Sequence, residues 1–198
     1  MTRAVAPPAW AESLLRLQLE PRDREIVTGD LLEMYRDRVE ARGRARADAW
    51  YVLEALDFTW RVYGPWIILF GLATSVRTGF DWLQPPADFA QRSMLTTAGA
   101  FGTMFAVGLV SSWRFASIAR GVVGGIVTAV GGGMIHLFAA LSLLVVRHDP
   151  VTLNAIAASG GLSEALTLPF TMILPAAFVA GFGGTLSFLL RGMPQSSR

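Results

Sequence analysis

One histidine lies inside a long uncharged stretch of this chain, and its type and position suit it to chemistry. His136 lies near the middle of the apolar stretch 121–146, which contains no other ionisable side chain. An ionisable group within a membrane segment is a candidate for a proton relay or a substrate path. The alternative is a structural role, in which a neutral imidazole hydrogen-bonds a hydroxyl of a neighbouring helix, such as Thr103 or Thr171. The sequence leaves both interpretations open.

Metal and haem chemistry receive little support from the sequence. The chain has no cysteine, which excludes thiolate ligands and disulfides. His148 is the only other histidine and lies 12 residues from His136, about 18 Å along a helix, so one chain cannot hold a haem between the two. Binding of a soft metal by His136 would need methionine ligands, and methionine is more often a core residue. The available methionines are Met104, Met134 and Met172. We predict no metal and no other cofactor.

The acidic residues in the N-terminal part of the chain are more typical of a solvated surface than of an acid–base catalytic pair. Asp30 and Glu33 lie on one face of a predicted helix. Arg36 and Asp37 beside them are typical of a salt-bridged, exposed face. No Walker A sequence, no His-Glu-x-x-His motif and no dinucleotide fingerprint occurs. We therefore predict that the protein is not an enzyme and has no catalytic residues.

Four uncharged apolar stretches occupy most of the sequence after residue 61. A bilayer core is crossed by about 20 apolar helical residues. Three of the stretches meet that length outright, and each is bounded by charged residues that are mostly arginine. Transmembrane helices are predicted at about residues 65–84, 93–113, 121–146 and 165–190.

The first of these stretches is the least regular. Val62–Val76 contains 15 residues, which is too short to cross a bilayer. A helix that begins at Pro65, where its missing N–H is tolerated, and ends before the Pro85-Pro86 pair is long enough. Arg77 and Asp81 then lie four residues apart on one helix face and are expected to form an ion pair.

Charge divides the chain into a charged N-terminal part and an apolar body. Residues 1–61 contain 10 of the 17 arginines and 11 of the 15 acids. The net charge of +2 is too small and too dispersed to indicate nucleic-acid binding. The sequence therefore predicts an all-α protein, with a helical cytosolic domain at residues 1–61 and an integral membrane four-helix bundle at residues 62–198.

The distribution of arginine predicts the orientation in the membrane. Basic residues are concentrated on the cytoplasmic side of membrane proteins. With residues 1–61 inside, 14 arginines are cytoplasmic and three are outside, so both termini are expected in the cytoplasm. The chain contains no lysine, which we interpret as the codon bias of a GC-rich bacterial genome. We predict a multi-pass protein of the bacterial cytoplasmic (inner) membrane.

Small residues recur at about four-residue spacing in the apolar segments and are candidates for close helix packing. They are Gly121, Gly125 and Gly133 in the third segment, and Gly181 and Gly184 in the fourth. These residues could form an interface between copies of the chain. Packing within a single bundle is the alternative that we favour.

Proline predicts an irregularity in the fourth segment. Pro175 has no N–H to donate to the carbonyl of Thr171, so a kink is expected there. Such a kink is either static or the hinge of a gate, and the static interpretation is favoured.

Three helices are predicted before the membrane segments. They cover about Ala9–Leu19, Pro21 to Gly43, and residues 45–61. Gly29 interrupts the second helix and is expected at a point of close packing. Gly64 and Pro65 are expected to interrupt the helix between the third predicted helix and the first membrane span.

The second predicted helix contains the one motif-like passage of the chain. Its core Gly29-Asp30-Leu31-x-Glu33-x-Tyr35-Arg36, with an arginine-rich turn and Trp50-Tyr51 after it, resembles the permease prefix domain. That small helical module precedes the membrane part of macrolide-exporter-type ABC permeases in some bacteria. The resemblance covers about residues 9–56. It makes five residues a candidate interaction surface: Gly29, Asp30, Glu33, Tyr35 and Arg36.

The membrane part departs from that family. There, a large extracytoplasmic domain follows the first transmembrane helix, whereas the longest outer loop expected here has about 18 residues, from Arg147 to Glu164. The resemblance therefore implies a shared cytosolic module and not a shared transport activity.

Two functions remain open from the sequence. The first is a non-enzymatic inner-membrane protein that acts by protein interaction, as an accessory or regulatory partner of an ABC-type export system. Its partner would be an ABC permease or ATPase. The second is a small homo-oligomeric transporter or channel with His136 in the translocation path. Only serine and threonine accompany His136 as polar residues inside helices two to four, which is less than a transporter of charged solutes usually needs.

Overall fold

The computed structural model describes residues 6–83, 89–147, 149–158 and 161–192. His148 and the helix stop predicted at Pro85-Pro86 lie outside these residues. The described residues fold into helices without a strand, so the all-α prediction is confirmed. The helices are α1 (Ala9–Gln18), α2 (Pro21–Arg42), α3 (Arg44–Leu83), α4 (Phe89–Phe115), α5 (Ile118–Val146), α6 (Pro150–Ala158), α7 (Gly161–Thr171) and α8 (Ile173–Gly192).

The chain divides into two compact units, which we call the head unit (Met1–Gly64) and the apolar unit (Pro65–Arg198). In the head unit, α1, α2 and the first part of α3 surround one hydrophobic core. Burial of each large apolar side chain there contributes about 1.5–3 kcal/mol. The buried core residues are Ala11, Leu15, Leu19, Leu31, Tyr35, Ala47, Tyr51 and Ala55.

The helix boundaries of the head unit follow the signals in the sequence. Pro21 lies at the start of α2, where its missing N–H is tolerated. Gly43 ends α2 with a φ of 80°, a conformation that glycine adopts without a steric penalty. The expectation for Gly29 was wrong, because no neighbouring atom lies within 4 Å of the position that a Cβ would take there. Gly29 therefore lies on an open surface of α2.

The expected break at Gly64 and Pro65 was also wrong, because α3 continues through both residues. A proline removes one backbone hydrogen bond from a helix, and its ring crowds the carbonyl one turn earlier and the N–H and Cβ of the preceding residue. Gly64 has no Cβ. The neighbouring turns on both sides can therefore keep the helix intact.

Three helical segments of the apolar unit are long and apolar enough to cross a membrane. They are Ser93–Phe115, Ile118–Val146 and Ile173–Gly192. These helices pack on one another, and α3 joins them through a buried cluster made of Phe70, Met104, Ala129 and Ala176. The apolar unit is thus a helical assembly with α5 in contact with its neighbours along much of its length.

The fourth predicted span is interrupted close to Pro175, the residue at which the sequence predicts an irregularity. Residues 165–190 are divided at Met172 into α7 and α8. Pro175 explains the division, because it cannot donate to the carbonyl of Thr171 and so weakens the helix at this turn. The hydroxyl of Thr171 donates to the carbonyl of Thr167, 3.2 Å away, within its own helix.

A very short connection joins α4 to α5. Only Ala116 and Ser117 separate the two helices, and Ala116 has a left-handed φ of 51°. Arg120 lies in the first turn of α5, where it is buried. Its guanidinium carbon lies 4.8 Å from the ring centre of Phe115, which is a cation–π contact.

Candidate functional site

His136 is buried in the apolar unit, with 3% of its surface exposed. The glycines of the preceding turn let α5 approach α3 closely, since a Cβ on Gly132 would lie 3.0 Å from the backbone nitrogen of Gly71. The imidazole therefore reaches α3, where it hydrogen-bonds the backbone of Thr74. This contact differs from the expected partners Thr103 and Thr171.

One nitrogen of this imidazole has no partner among the residues that the structure describes. Nδ1 of His136 is fully buried and makes no hydrogen bond there. A buried ring nitrogen without a partner is energetically unfavourable. Nδ1 is therefore the atom of this side chain whose hydrogen-bonding capacity is unused among the described residues.

Three charged side chains lie beside His136. The predicted pair between Arg77 and Asp81 is confirmed, with 3.3 Å between Nε and Oδ2. Nη1 of Arg77 also lies 3.7 Å from Oε1 of Glu164 on α7. Asp81 is 7% exposed, and its Oδ1 has no hydrogen-bond partner among the described residues. Arg77 thus bridges a buried and a half-exposed carboxylate.

These side chains enclose a small cavity, which we call the His136 cavity. Its volume of about 10 Å³ is enough for about one water molecule. The lining residues are Arg77, Thr78, Asp81, Trp82, His136, Glu164 and Ala165.

The charges around the His136 cavity define its chemical capacity. One guanidinium and two carboxylates give a formal charge of −1 when the imidazole is neutral, and protonation of His136 brings the sum to zero. Such a cluster can hold and release a proton.

No group of three histidine, aspartate or glutamate side chains among the described residues is arranged to hold a metal ion. The three methionines considered as ligands lie in different environments. Met104 and Met172 belong to the buried cluster around Phe70, whereas Met134 is an exposed residue of α5. The structure therefore gives no support to a soft-metal site.

Two of the glycines that the sequence marks for close packing, Gly125 and Gly133, allow α5 to contact α8 and α7 closely. A Cβ added at Gly125 would lie 2.9 Å from the carbonyl oxygen of Ala176 in α8. At Gly133 it would lie 2.8 Å from the Cα of Pro169 in α7. Both contacts are to backbone atoms, which cannot move aside as a side chain can.

The other three glycines marked for close packing, Gly121, Gly181 and Gly184, lie where α4, α5 and α8 meet. Cβ atoms added at Gly121 and Gly184 would both collide with the hydroxyl oxygen of Ser112. Gly181 is less confined, since its nearest contact would be a methyl group of Val122 at 3.3 Å. Each of these contacts lies within one chain.

The candidate surface on α2 is only partly a surface. Gly29, Asp30, Glu33 and Arg36 are exposed. Tyr35 is fully buried in the head core, so its inclusion in an interaction surface was wrong. The physical reason is the helical period, which turns Tyr35 toward α3 while its neighbours face outward.

Tyr35 is a structural residue of the head unit. Its hydroxyl donates to Oδ1 of Asp48 at 2.6 Å and lies 3.1 Å from the carbonyl oxygen of Ala6. Its ring packs edge-on against Tyr51, with 5.9 Å between centroids. Burial raises the pKa of Tyr35 above its ordinary value, and the hydrogen bond to Asp48 raises it further.

Sequence reasoning missed two arrangements. The participation of Glu164 was not expected, although it is the only acid between residues 150 and 192, which could have marked it. The second is a row of exposed apolar residues on α3 within the head unit. These side chains are Leu53, Leu56 and Trp60, exposed by 65%, 47% and 50%.

No protein-family model, no curated protein and no solved structure matches this chain.

Proposed function

We propose that this chain is a non-enzymatic membrane protein that acts by protein interaction through its head unit. The observation that carries this proposal is the row of exposed apolar residues on α3, which we call the α3 stripe (Leu53, Leu56 and Trp60). Single exposed apolar residues are common on protein surfaces, whereas contiguous ones indicate an interaction site. The head unit also exposes Trp10, Ile26 and Met34, but these lie on α1 and α2 and do not continue the row on α3.

The spacing of the α3 stripe suits a helical partner. Its members are three and four residues apart, which places them on one narrow face of the helix. An amphipathic or membrane-proximal helix of a partner can pack along such a face. Asp57 and Arg61 flank the stripe as an exposed ion pair, with 2.6 Å between Oδ2 and Nη2, and would form part of a polar rim.

The apolar unit serves in this proposal as the membrane anchor. The three long apolar helices, together with the part of α3 after Pro65, make the four spans of a helical bundle. The excess of arginine in residues 1–61 supports a cytoplasmic head and cytoplasmic termini. All lysine or arginine positions of the chain are arginine, which is typical of a GC-rich bacterial genome and supports a location in a bacterial inner membrane.

The class of partner follows from the resemblance of residues 9–56 to the permease prefix domain. That resemblance supports an ABC permease or ATPase of an export system as the partner, with this chain in an accessory or regulatory role. The exposed residues of α2, among them Asp30, Glu33 and Arg36, offer a second, polar contact surface to the same partner.

The test is purification of the tagged chain from its own host in mild detergent, followed by mass spectrometry of the co-purifying proteins. A stoichiometric ABC permease or ATPase is expected with the unaltered chain. Leu53→Glu should abolish its recovery. Trp10→Glu is the control, because Trp10 lies on α1 of the same unit and is likewise exposed, at 58%.

Three results would contradict the interaction function. The first is the absence of any stoichiometric partner, and the second is equal recovery with Leu53→Glu and the unaltered chain. The third is equal loss with Leu53→Glu and Trp10→Glu, which would indicate general damage to the head unit. A homo-oligomer without a partner would favour the second function below.

The His136 cavity favours one alternative, a small homo-oligomeric carrier or channel for protons. Its formal charge changes by one unit when His136 is protonated, and its volume of about 10 Å³ admits a proton and about one water molecule. His136→Ala should then reduce proton flux in proteoliposomes, whereas Thr103→Ala, at an α4 hydroxyl bonded to the carbonyl of Gly99, should leave it unchanged. Equal flux with His136→Ala would exclude the relay.

A further inference from the structure

A second cavity lies in the head unit, where α2 ends and α3 begins. It has a volume of about 360 Å³ and is lined by Arg38, Arg42, Arg46 and Trp50. Two of these residues lie one turn apart at the end of α2, and two lie one turn apart at the start of α3. The turn at Gly43, with its φ of 80°, brings the two pairs to a common space. We call this space the arginine pocket.

The arginines of this pocket have no counter-ions among the described residues. Arg38, Arg42 and Arg46 form no ion pair there, since every observed pair involves other residues. Other arginines of the head unit do pair with a nearby carboxylate: Arg16, Arg22, Arg44 and Arg61. Three like charges around one space repel one another, so an anion in that space would be attracted by all three.

Arg38 is held in place by Trp50. Its guanidinium carbon lies 4.2 Å from the centre of the indole ring, which is a cation–π contact. Stacking occupies the face of the guanidinium, while its N–H donors point outward in the plane. Nε of Arg38 is buried and has no hydrogen-bond partner among the described residues, so no protein acceptor there satisfies this donor.

We propose that the arginine pocket binds a phosphate-bearing anion. The planar fork of arginine matches phosphate oxygens in pairs of hydrogen bonds, and a phosphate offers enough oxygens for three guanidinium groups. A volume of about 360 Å³ lies at the lower end of small-molecule sites, which measure about 300–1,000 Å³. This volume accommodates either a soluble phosphate ester or the phosphate headgroup of a lipid.

The test uses the full-length chain in detergent and radiolabelled pyrophosphate as the probe in equilibrium dialysis at physiological salt. Saturable binding of about one equivalent is expected. The triple variant Arg38→Gln, Arg42→Gln, Arg46→Gln should weaken it more than about tenfold, since it removes three charge-assisted donors. The control replaces Arg16, Arg22 and Arg61 by Gln, which changes the net charge equally, and should change the affinity less than about twofold.

Two outcomes would overturn the site. One is the absence of saturable pyrophosphate binding by the unaltered chain together with the absence of any effect of phosphatidic acid in nanodiscs on its unfolding temperature. The other is an equal loss of binding in the triple variant and in its charge-matched control, which would show a general effect of net charge. Leu53→Glu should retain binding, so failure of the interaction function would not be mistaken for failure of this site.

The source of the phosphate is distinguished by competition in nanodiscs. If phosphatidic acid in a phosphatidylcholine nanodisc weakens pyrophosphate binding to the unaltered chain but not the residual binding to the triple variant, the ligand is a lipid headgroup. If pyrophosphate binds equally in both nanodiscs, the ligand is a soluble phosphate ester. Either result supports the pocket, because both require Arg38, Arg42 and Arg46.

Discussion

Nη1 of Arg77 on α3 lies 3.7 Å from Oε1 of Glu164 on α7, across the His136 cavity. The same guanidinium holds Asp81, one turn further along α3. One cation therefore compensates two carboxylates that belong to different helices. The arrangement ties α7 to α3 at the level where His136 of α5 reaches the backbone of Thr74.

Removal of this cation should destabilise the apolar unit, because it leaves the carboxylate of Asp81 buried without a counter-charge. We expect Arg77→Gln to lower the free energy of unfolding by about 3 kcal/mol, as measured by thermal unfolding in detergent. The double variant Arg77→Gln, Asp81→Asn should recover most of that loss. Glu164→Gln should change stability by less than about 1 kcal/mol, since the carboxylate is 48% exposed. Equal losses in the single and double variants would contradict this account.

Gly133 should tolerate no larger residue. A Cβ there would lie 2.8 Å from the Cα of Pro169, so Gly133→Ala should force α5 and α7 apart and destabilise the apolar unit by about 1–3 kcal/mol. Gly102→Ala is the matched control, because nothing lies within 4 Å of its Cβ position. Alanine also has the higher helix propensity, so the control should be as stable as the original chain or more so. Thermal unfolding of both variants decides the matter.

Tyr35 should make the head unit sensitive to high pH. Its pKa is raised above 10.0 in the folded chain, so the fold favours the neutral phenol. The stability from this effect is present below about pH 10, the unfolded pKa, and is lost as the pH rises through the raised folded pKa. Hydrogen exchange of α1 and α2 amides should show opening in that range.

Tyr35→Phe separates the two contributions of this side chain. The variant loses the hydrogen bond to Asp48 and should lower the stability of the head unit at neutral pH by about 1–2 kcal/mol. Its further loss between neutral and alkaline pH should be smaller than that of the unaltered chain. Identical alkaline losses in both proteins would show that another group controls the effect.

Gly43 should be required for the turn between α2 and α3. Its φ of 80° belongs to a region that residues with a Cβ rarely adopt, so Gly43→Ala should lower the stability of the head unit by about 1–3 kcal/mol. Gly29→Ala, at an exposed helical position with open space around it, should instead raise stability by about 0.5–1 kcal/mol. Chemical denaturation of the two variants gives the comparison, and a neutral Gly43→Ala would contradict it.

The sequence predicted the local boundaries of the head unit better than its contacts. Pro21 and Gly43 act on the backbone at their own positions, so their effects can be recognised without a structure. The burial of Tyr35 depends on which face of α2 meets α3, and a polar neighbourhood in the sequence concealed it. From the sequence, Gly64 and Pro65 predict a break in the helix. The helix α3 nevertheless continues through both residues, and Gly64 has no Cβ for the ring of Pro65 to crowd.

Of the site in the apolar unit, the sequence predicted only the contact between residues of the same helix. The Arg77–Asp81 pair lies within one helix and follows from four-residue spacing. The approach of Glu164 and the contact of His136 with Thr74 join helices distant in sequence, and helix periodicity does not specify which faces meet. The glycines of α5 showed that close packing would occur, but not which helix each would contact.

The two-residue connection between α4 and α5 has a consequence for biogenesis. Ala116 and Ser117 alone separate the two apolar helices. A two-residue connection is too short for one helix to move out of the translocation channel while the other stays inside it. During synthesis into a bilayer, α4 and α5 should therefore partition into lipid together as a helical hairpin. The insertion machinery would handle them as one unit.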